Sequence, residues 1–184
     1  MDDQLFHSTH AALTFAYNFQ GSPALSVMNR MANKPGPMGK GLAGLDGAGQ
    51  AGIIRRHVAS LGKFHESIII AEFAPKSMPC SCGSLCCIGK MRNQEWIDAV
   101  GYIADIVRTE ALSEHRTTHP IRRACVEKFF GIKISAVRMS EQLGIDQDTA
   151  GKMIAKVKRY LMVEHFKARN AIDQSLIEVI SNKL

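Results

Sequence analysis

The chain has 184 residues, of which 46% are hydrophobic and 22% charged, the composition of a globular protein large enough to bury a core. Its 23 Lys and Arg exceed its 17 Asp and Glu, giving a formal net charge of +6, so a polyanionic partner is expected. The sequence holds no run of 18 apolar residues, and its start, MDDQLFHSTH, lacks the basic and apolar segments of a signal peptide, so we expect a cytoplasmic protein with no membrane contact.

Apolar residues recur at helical spacing through the first 112 residues, which predicts a mainly helical region. The predicted helices span residues 10–19, 50–61, 64–73 and 93–112, and Ser22-Pro23 is a start signal for a further short helix. Ser67-Ile68-Ile69-Ile70 would also suit a buried strand, but no partner strand is visible, so helix is the favoured interpretation. Gly62 is the expected stop of the helix at 50–61.

Residues 34–49 contain two Pro and six Gly among sixteen residues, which predicts a loop. Within it, residues 39–44, GKGLAG, match the dinucleotide-binding fingerprint letter for letter. That motif requires a strand before it and a helix after it, and neither is predicted here, so nucleotide binding is not expected. A loop that orders against a partner is the favoured interpretation.

Four cysteines lie within residues 80–87, CSCGSLCC, and predict a metal site, because disulfides are not expected in a reducing compartment. Zinc is the candidate, in a structural role, and its predicted ligands are Cys80, Cys82, Cys86 and Cys87. The tight C-x-C and C-C pairs strain a mononuclear site, so His65 or Cys125 could replace one ligand. Buried reduced thiols and redox-active thiols are the alternatives. Catalytic zinc is not expected, since no H-x-E or H-E-x-x-H pattern accompanies the cysteines.

Residues 113–119 form a predicted polar hinge that divides the chain into regions 1–113 and 114–184. A helix follows from Pro120 and ends at Gly131. Residues 113–184 carry 13 Lys and Arg against 8 Asp and Glu, so the basic excess lies in this second region. Residues 170–181 predict a last helix that either packs on its own domain or forms a dimer seam, through Ile172, Leu176, Ile177 and Ile180.

Residues 134–161, ISAVRMSEQLGIDQDTAGKMIAKVKRYL, predict a helix-turn-helix. Small residues stand where the two helices must touch, at Ser140 and Ala150. Gly144 falls at the turn, and Asp146 is a candidate N-cap of the second helix. That helix repeats apolar residues at Ala150, Met153, Ile154, Val157 and Leu161. Such a unit places its second helix in the major groove of DNA.

The opposite face of this second helix supplies the candidate DNA contacts. They are Gln147, Asp148, Thr149, Gly151, Lys152, Ala155, Lys156 and Arg159, with Arg122 and Arg123 as flanking backbone contacts. Gln147 suits adenine, and Lys152 suits guanine or phosphate. Asp148 would accept from cytosine, stabilise the helix N-terminus, or exclude wrong sites. For each cation the alternative is an ordinary solvated surface.

Five blocks in chain order carry a resemblance to a known family: residues 13–19 (LTFAYNF), 41–47 (GLAGLDG), 79–87 (the cysteine cluster), 93–96 (NQEW) and 126–131 (VEKFFG). With these blocks the chain resembles the Q-type late-gene transcription antitermination factors of bacteriophages and prophages, in particular the Pseudomonas AlpA-like branch.

The resemblance implies a factor that binds a double-stranded DNA element near a promoter and loads onto paused bacterial RNA polymerase that still holds sigma factor. It then modifies the RNA exit channel so that terminators are read through. Carried onto this chain, residues 134–161 would bind the DNA element, and residues 1–113 would contact polymerase and nascent RNA.

Two other classes of function are open. A repressor or activator acting at initiation would be a dimer, because one helix-turn-helix reads few base pairs. A metal-dependent enzyme or nuclease would need carboxylates clustered near the cysteines, and none fall there, so the chain is not predicted to be an enzyme. The expected fold is therefore mainly α, with a helical, cysteine-rich N-terminal region and a C-terminal helix-turn-helix domain.

Overall fold

A computed structural model describes residues 5–19, 45–80, 82 and 88–181. Within these residues the chain forms seven helices and one two-stranded sheet, so the mainly α prediction is confirmed. In chain order the elements are α1 (Thr9–Asn18), α2 (Leu45–Ala59), α3 (Lys63–Phe73), β1 (Ser77–Pro79), β2 (Lys90–Arg92), α4 (Gln94–Glu110), α5 (His119–Phe129), α6 (Ala136–Leu143) and α7 (Gln147–Ser181).

The four helices predicted before residue 113 are present. The helix predicted at 50–61 begins earlier, at Leu45, so residues 45–49 of the predicted loop are helical. The ambiguous segment at 64–73 is helix α3, and its residues 67–71 are all buried, which explains why it lacks one polar face. The rest of the loop, the fingerprint-like residues 39–44 and the helix predicted at Ser22-Pro23 lie outside the described residues.

The sheet is an antiparallel hairpin that the sequence did not predict. Ser77 pairs with Arg92, Met78 with Met91 and Pro79 with Lys90. All six positions are exposed, so the strands lack the alternation of apolar and polar residues that marks a half-buried strand. The hairpin leads into α4, where the side chain of Asn93 accepts a hydrogen bond from the Glu95 amide at 3.1 Å.

Helix α7 corrects the prediction of two separate helices in residues 147–161 and 170–181, because it is continuous over 35 residues. No Gly or Pro interrupts residues 162–169, and the buried face continues through that segment. From Leu161 onward, the buried residues of this face are Leu161, Ala168, Ile172 and Leu176. Three large apolar side chains of the intervening segment do not belong to this face and are exposed, namely Met162, Val163 and Phe166.

One hydrophobic core spans both predicted regions of the chain. It joins residues of α1, α3, α4 and α7, among them Leu13, Ile69, Val100 and Leu161. Helix α7 packs against α1, α2 and α3 as well as against α5 and α6. The predicted hinge at residues 113–119, whose last residue, His119, already belongs to α5, therefore connects two regions that share a core. Among the described helices, none is both long enough and apolar enough to cross a bilayer.

Candidate nucleic-acid interface

Helices α6 and α7 are joined by a three-residue turn whose geometry local hydrogen bonds define. Gly144 ends α6 in the left-handed region, at φ +65°, and its N–H donates to the Ser140 carbonyl at 3.0 Å. The Asp146 carboxylate then accepts from the Thr149 amide at 3.0 Å, which confirms Asp146 as the N-cap of α7. The bond to the Thr149 amide also lowers the pKa of Asp146, because it stabilises the carboxylate.

Buried side chains fix the position of α6 against α7. Met139 of α6 is buried, and it faces a helix whose inward residues agree with the prediction: Ala150, Met153, Val157 and Leu161 are buried, and Ile154 is half-buried. Leu143 and Ile145 pack against the same core from the turn. The start of α7 is thus held by packing as well as by its cap, so its outer face has a defined orientation.

The predicted contact residues lie along this outer face, which we call the α7 polar stripe. Its exposed members are Gln147, Asp148, Lys152, Ala155 and Arg159, and its half-buried members are Thr149, Gly151 and Lys156. Within the described part of the chain, Lys152 and Arg159 make no ion pair with any acidic side chain. Their charges are therefore available to an anionic partner.

Lys156 is the member of the α7 polar stripe that already has a charged neighbour. Its Nζ lies 2.6 Å from an oxygen of Glu114, which stands in the hinge. This hydrogen bond lowers the pKa of the Glu114 carboxyl, which keeps it ionised. The contact also places the hinge directly beside the third turn of α7.

The two flanking arginines do not share this exposure. Arg122 is buried: its Nε donates to the Ala104 carbonyl at 3.0 Å and its Nη1 to the Thr117 carbonyl at 2.8 Å. Arg123 is half-buried and pairs with Glu127 on the same helix at 2.8 Å. Arg122 therefore holds the hinge against α4, and neither side chain belongs to the α7 polar stripe.

The cysteine segment begins at the hairpin. The Cys80 amide donates to the Gly89 carbonyl at 2.9 Å, so the two ends of residues 80–89 are held together. Cys80 is half-buried and Cys82 is exposed, whereas Cys86 and Cys87 lie outside the described residues. A hydrogen bond between the two ends of a cysteine-rich segment is compatible with several thiolates binding one ion.

Cys125 and His65, the two residues predicted as substitute zinc ligands, lie in environments that do not favour metal binding. Cys125 is buried in α5, and desolvation raises the pKa of its thiol to about 11, which disfavours the thiolate that a metal requires. His65 lies on α3 with its Nε2 3.3 Å from an oxygen of Glu164. The hairpin cysteines are therefore the better metal-ligand candidates.

Comparison with known proteins gave no match, whether to a family model, to a curated protein sequence or to a solved structure.

Proposed function

We propose that this protein is a DNA-binding transcription factor whose helices α6 and α7 form a helix-turn-helix. The observation that carries the proposal is the α7 polar stripe, an exposed face that begins at a capped helix N-terminus and is braced from behind by α6. A helix presented in this way fits the major groove, with its first turns on base edges and later residues on phosphates. Among the described residues, Gln147, Asp148, Lys152 and Arg159 of this face are exposed, and Lys156 contacts Glu114 of the hinge.

Within this proposal, Gln147 and Lys152 contact bases, and Lys156 and Arg159 contact phosphates. Because Lys156 pairs with Glu114 in the free protein, DNA would have to displace that carboxylate. Asp148, near the start of α7, adds favourable charge at the helix N-terminus and repels phosphates that approach in the wrong register.

The test is selection of bound sequences from a random DNA pool, followed by affinity measurements on Lys152→Ala. We expect a loss of about 1–3 kcal/mol on the selected site and a smaller loss on unrelated DNA. Lys167→Ala is the matched control, because Lys167 is an exposed lysine on the same helix, about 22 Å further along at 1.5 Å per residue. Equal losses for the two variants, or no DNA binding by the wild type, would contradict the proposal.

We further propose that the factor acts in the cytoplasm as an antiterminator on RNA polymerase that holds sigma factor. This step rests on the resemblance to the Q-type factors, which assigns residues 1–113 to polymerase and nascent RNA. Single-round transcription with purified holoenzyme, on a template carrying the selected DNA site, a promoter and a terminator, tests it directly. Read-through that requires the DNA site supports antitermination, whereas a change in initiation alone contradicts it.

We propose a structural zinc ion bound by the cysteine segment, through Cys80, Cys82, Cys86 and Cys87. The hairpin supports this, because it closes the segment and continues into α4 through Asn93, whose Nδ2 donates to the Pro75 carbonyl at 2.8 Å. Zinc would supply folding energy there and no chemistry, consistent with a protein that is not an enzyme.

The second candidate is a dimeric repressor or activator, and one observation favours it. Met162, Val163 and Phe166 are more than half exposed on α7, which is unusual for a cluster of large apolar side chains. The seam predicted from the sequence is not available in full, because Ile172 and Leu176 are completely buried in the core of the same chain. A dimer would have to use Phe166 and its neighbours instead.

A further inference from the structure

A cavity of about 670 Å³ opens at the hinge between α4 and α5, and we call it the hinge pocket. Among the described residues that line it, three are arginines, several carry hydroxyl groups and none is acidic. Its polar lining includes Arg108, His115, Arg116, Thr117, Thr118 and Arg122. A concave surface of this size and composition is suited to an anion with several oxygen acceptors.

Two of the arginines have donors to offer. Arg108 and Arg116 are both exposed, and within the described part of the chain neither forms a hydrogen bond or an ion pair. Arg122 forms the floor and differs from them, because its guanidinium is already bonded to the Ala104 and Thr117 carbonyls and faces Asp105 at 3.4 Å. The pocket therefore combines a fixed buried charge with two adjustable ones.

His115, one of the lining residues, has a ring nitrogen without a partner. Its Nε2 atom is buried and makes no hydrogen bond among the described residues. A buried polar atom without a partner is costly, so a shift of the ring that lets this atom bond to a ligand in the pocket is favoured. Thr118 precedes α5 without capping it by its side chain, and it leaves its hydroxyl and the positive end of that helix at the pocket.

The hinge pocket lies close to the α7 polar stripe. Glu114 stands between two lining residues, Ser113 and His115, and turns toward Lys156 of the α7 polar stripe at 2.6 Å. The pocket and the stripe are therefore neighbours, joined by the contact between Glu114 and Lys156.

We propose that the hinge pocket binds a backbone phosphate of the nucleic acid that lies on the α7 polar stripe, an inference that rests on the proposed DNA-binding function. Arg108 and Arg116 donate charge-assisted hydrogen bonds to the phosphate oxygens, and the His115 ring lies in the wall of the pocket beside them. Such contacts fix the register of the protein on the duplex and carry no sequence information.

The experiment compares two double variants that each remove two positive charges, Arg108→Gln with Arg116→Gln, and Arg56→Gln with Lys90→Gln as the control. Arg56 and Lys90 are exposed residues of α2 and β2 that do not line the hinge pocket. Helix α2 meets α7 through His57 and Ser175, which lies 16 residues beyond Arg159, at the other end of α7 from the stripe. DNA affinity is measured by fluorescence anisotropy across a salt series. Because one phosphate is bound, we expect the hinge variant to lower the slope of log K against log salt by about 1 unit, equally on specific and unrelated DNA, with little change for the control.

The outcomes separate the two proposals. If the wild type binds DNA and the two double variants keep the same slope, the hinge pocket holds no backbone phosphate and the DNA-binding proposal stands. A wild type that binds no DNA removes both. Titration with inorganic phosphate, followed by the His115 ring signals in NMR spectra, tests whether the pocket binds a free phosphate ion instead of a phosphate of nucleic acid. Shifts in a wild type that binds no DNA, lost in the hinge variant, would assign the pocket to a free phosphate and overturn the assignment to nucleic acid.

Discussion

Replacing Arg122 by alanine separates a structural role for this arginine from a role in DNA contact. Its two hydrogen bonds, to the buried Ala104 carbonyl at 3.0 Å and to the partly buried Thr117 carbonyl at 2.8 Å, are each worth about 1.5–3 kcal/mol because the donor is charged. The contact to Asp105 adds little, because that carboxylate is 64% exposed. Part of the loss is offset, since the variant no longer buries a charge.

We therefore expect Arg122→Ala to lower the free energy of unfolding by about 3–5 kcal/mol. For a chain of this length the thermal midpoint should fall by about 6–20 °C. The measurement is urea denaturation followed by circular dichroism, with Arg123→Ala as the matched control. Arg123 is the adjacent residue and has only a helical i,i+4 ion pair with Glu127, so its loss should cost about 0.5 kcal/mol or less.

DNA affinity is then measured at a temperature where all three proteins are folded. If Arg122 is structural, the salt dependence of binding stays the same in Arg122→Ala. An unchanged unfolding free energy combined with a shallower salt slope would refute the reasoning, because it would mean that the guanidinium reaches phosphate and that its interior bonds contribute nothing.

Three further predictions concern the cap, the cysteines and the exposed face of α7. The pKa of the Asp146 carboxyl is lowered in the folded chain, so its contribution to folding stability is present above its ordinary pKa and is lost as pH falls through the lowered value. The difference in unfolding free energy between wild type and Asp146→Ala should therefore shrink in acid. Urea denaturation at a series of pH values measures it. Cys82→Ser should reduce the zinc content measured by mass spectrometry and lower the thermal midpoint, while a wild type that holds no zinc after growth in zinc-supplemented medium contradicts the site. Phe166→Glu, at a side chain 66% exposed, should change the unfolding free energy by no more than about 0.5 kcal/mol, and light scattering that shows it halving the wild-type mass would favour the dimeric regulator.

Periodicity was a sound guide wherever a helix has one buried face. Helix α4 illustrates this, with Trp96, Val100 and Val107 buried at the predicted positions. It failed in two places for physical reasons. The hairpin strands are three residues long and wholly exposed, so they leave no pattern. In α7, Phe166 and its neighbours are apolar yet exposed, and they hid the continuity of the buried face.

The candidate site also has one part that could be predicted from the sequence and one part that could not. The α7 polar stripe could be predicted, because it is the complement of a buried face on one helix. The burial of Arg122 could not, because its partners Ala104 and Thr117 lie on α4 and in the hinge, and their approach depends on tertiary packing. Arg108 and Arg116 were missed for the same reason. The only local signal was a hinge rich in hydroxyl and basic residues, which reads equally well as a linker.

The length of α7 would determine the distance between two partners bound to different regions of the chain. At 1.5 Å per residue its 35 residues measure about 52 Å, and the rod is packed along its sides by helices from both regions of the chain. A partner bound to residues 1–113 would then stand at a set distance and rotational angle from DNA bound at residues 147–159. Inserting about 5 base pairs, half a helical turn, between the DNA element and the position of the partner on the same duplex would turn the two to opposite faces of the DNA. Inserting a full turn would restore their alignment. Under the proposed function, α7 would thus set both the distance and the rotational angle between the bound DNA and the second partner.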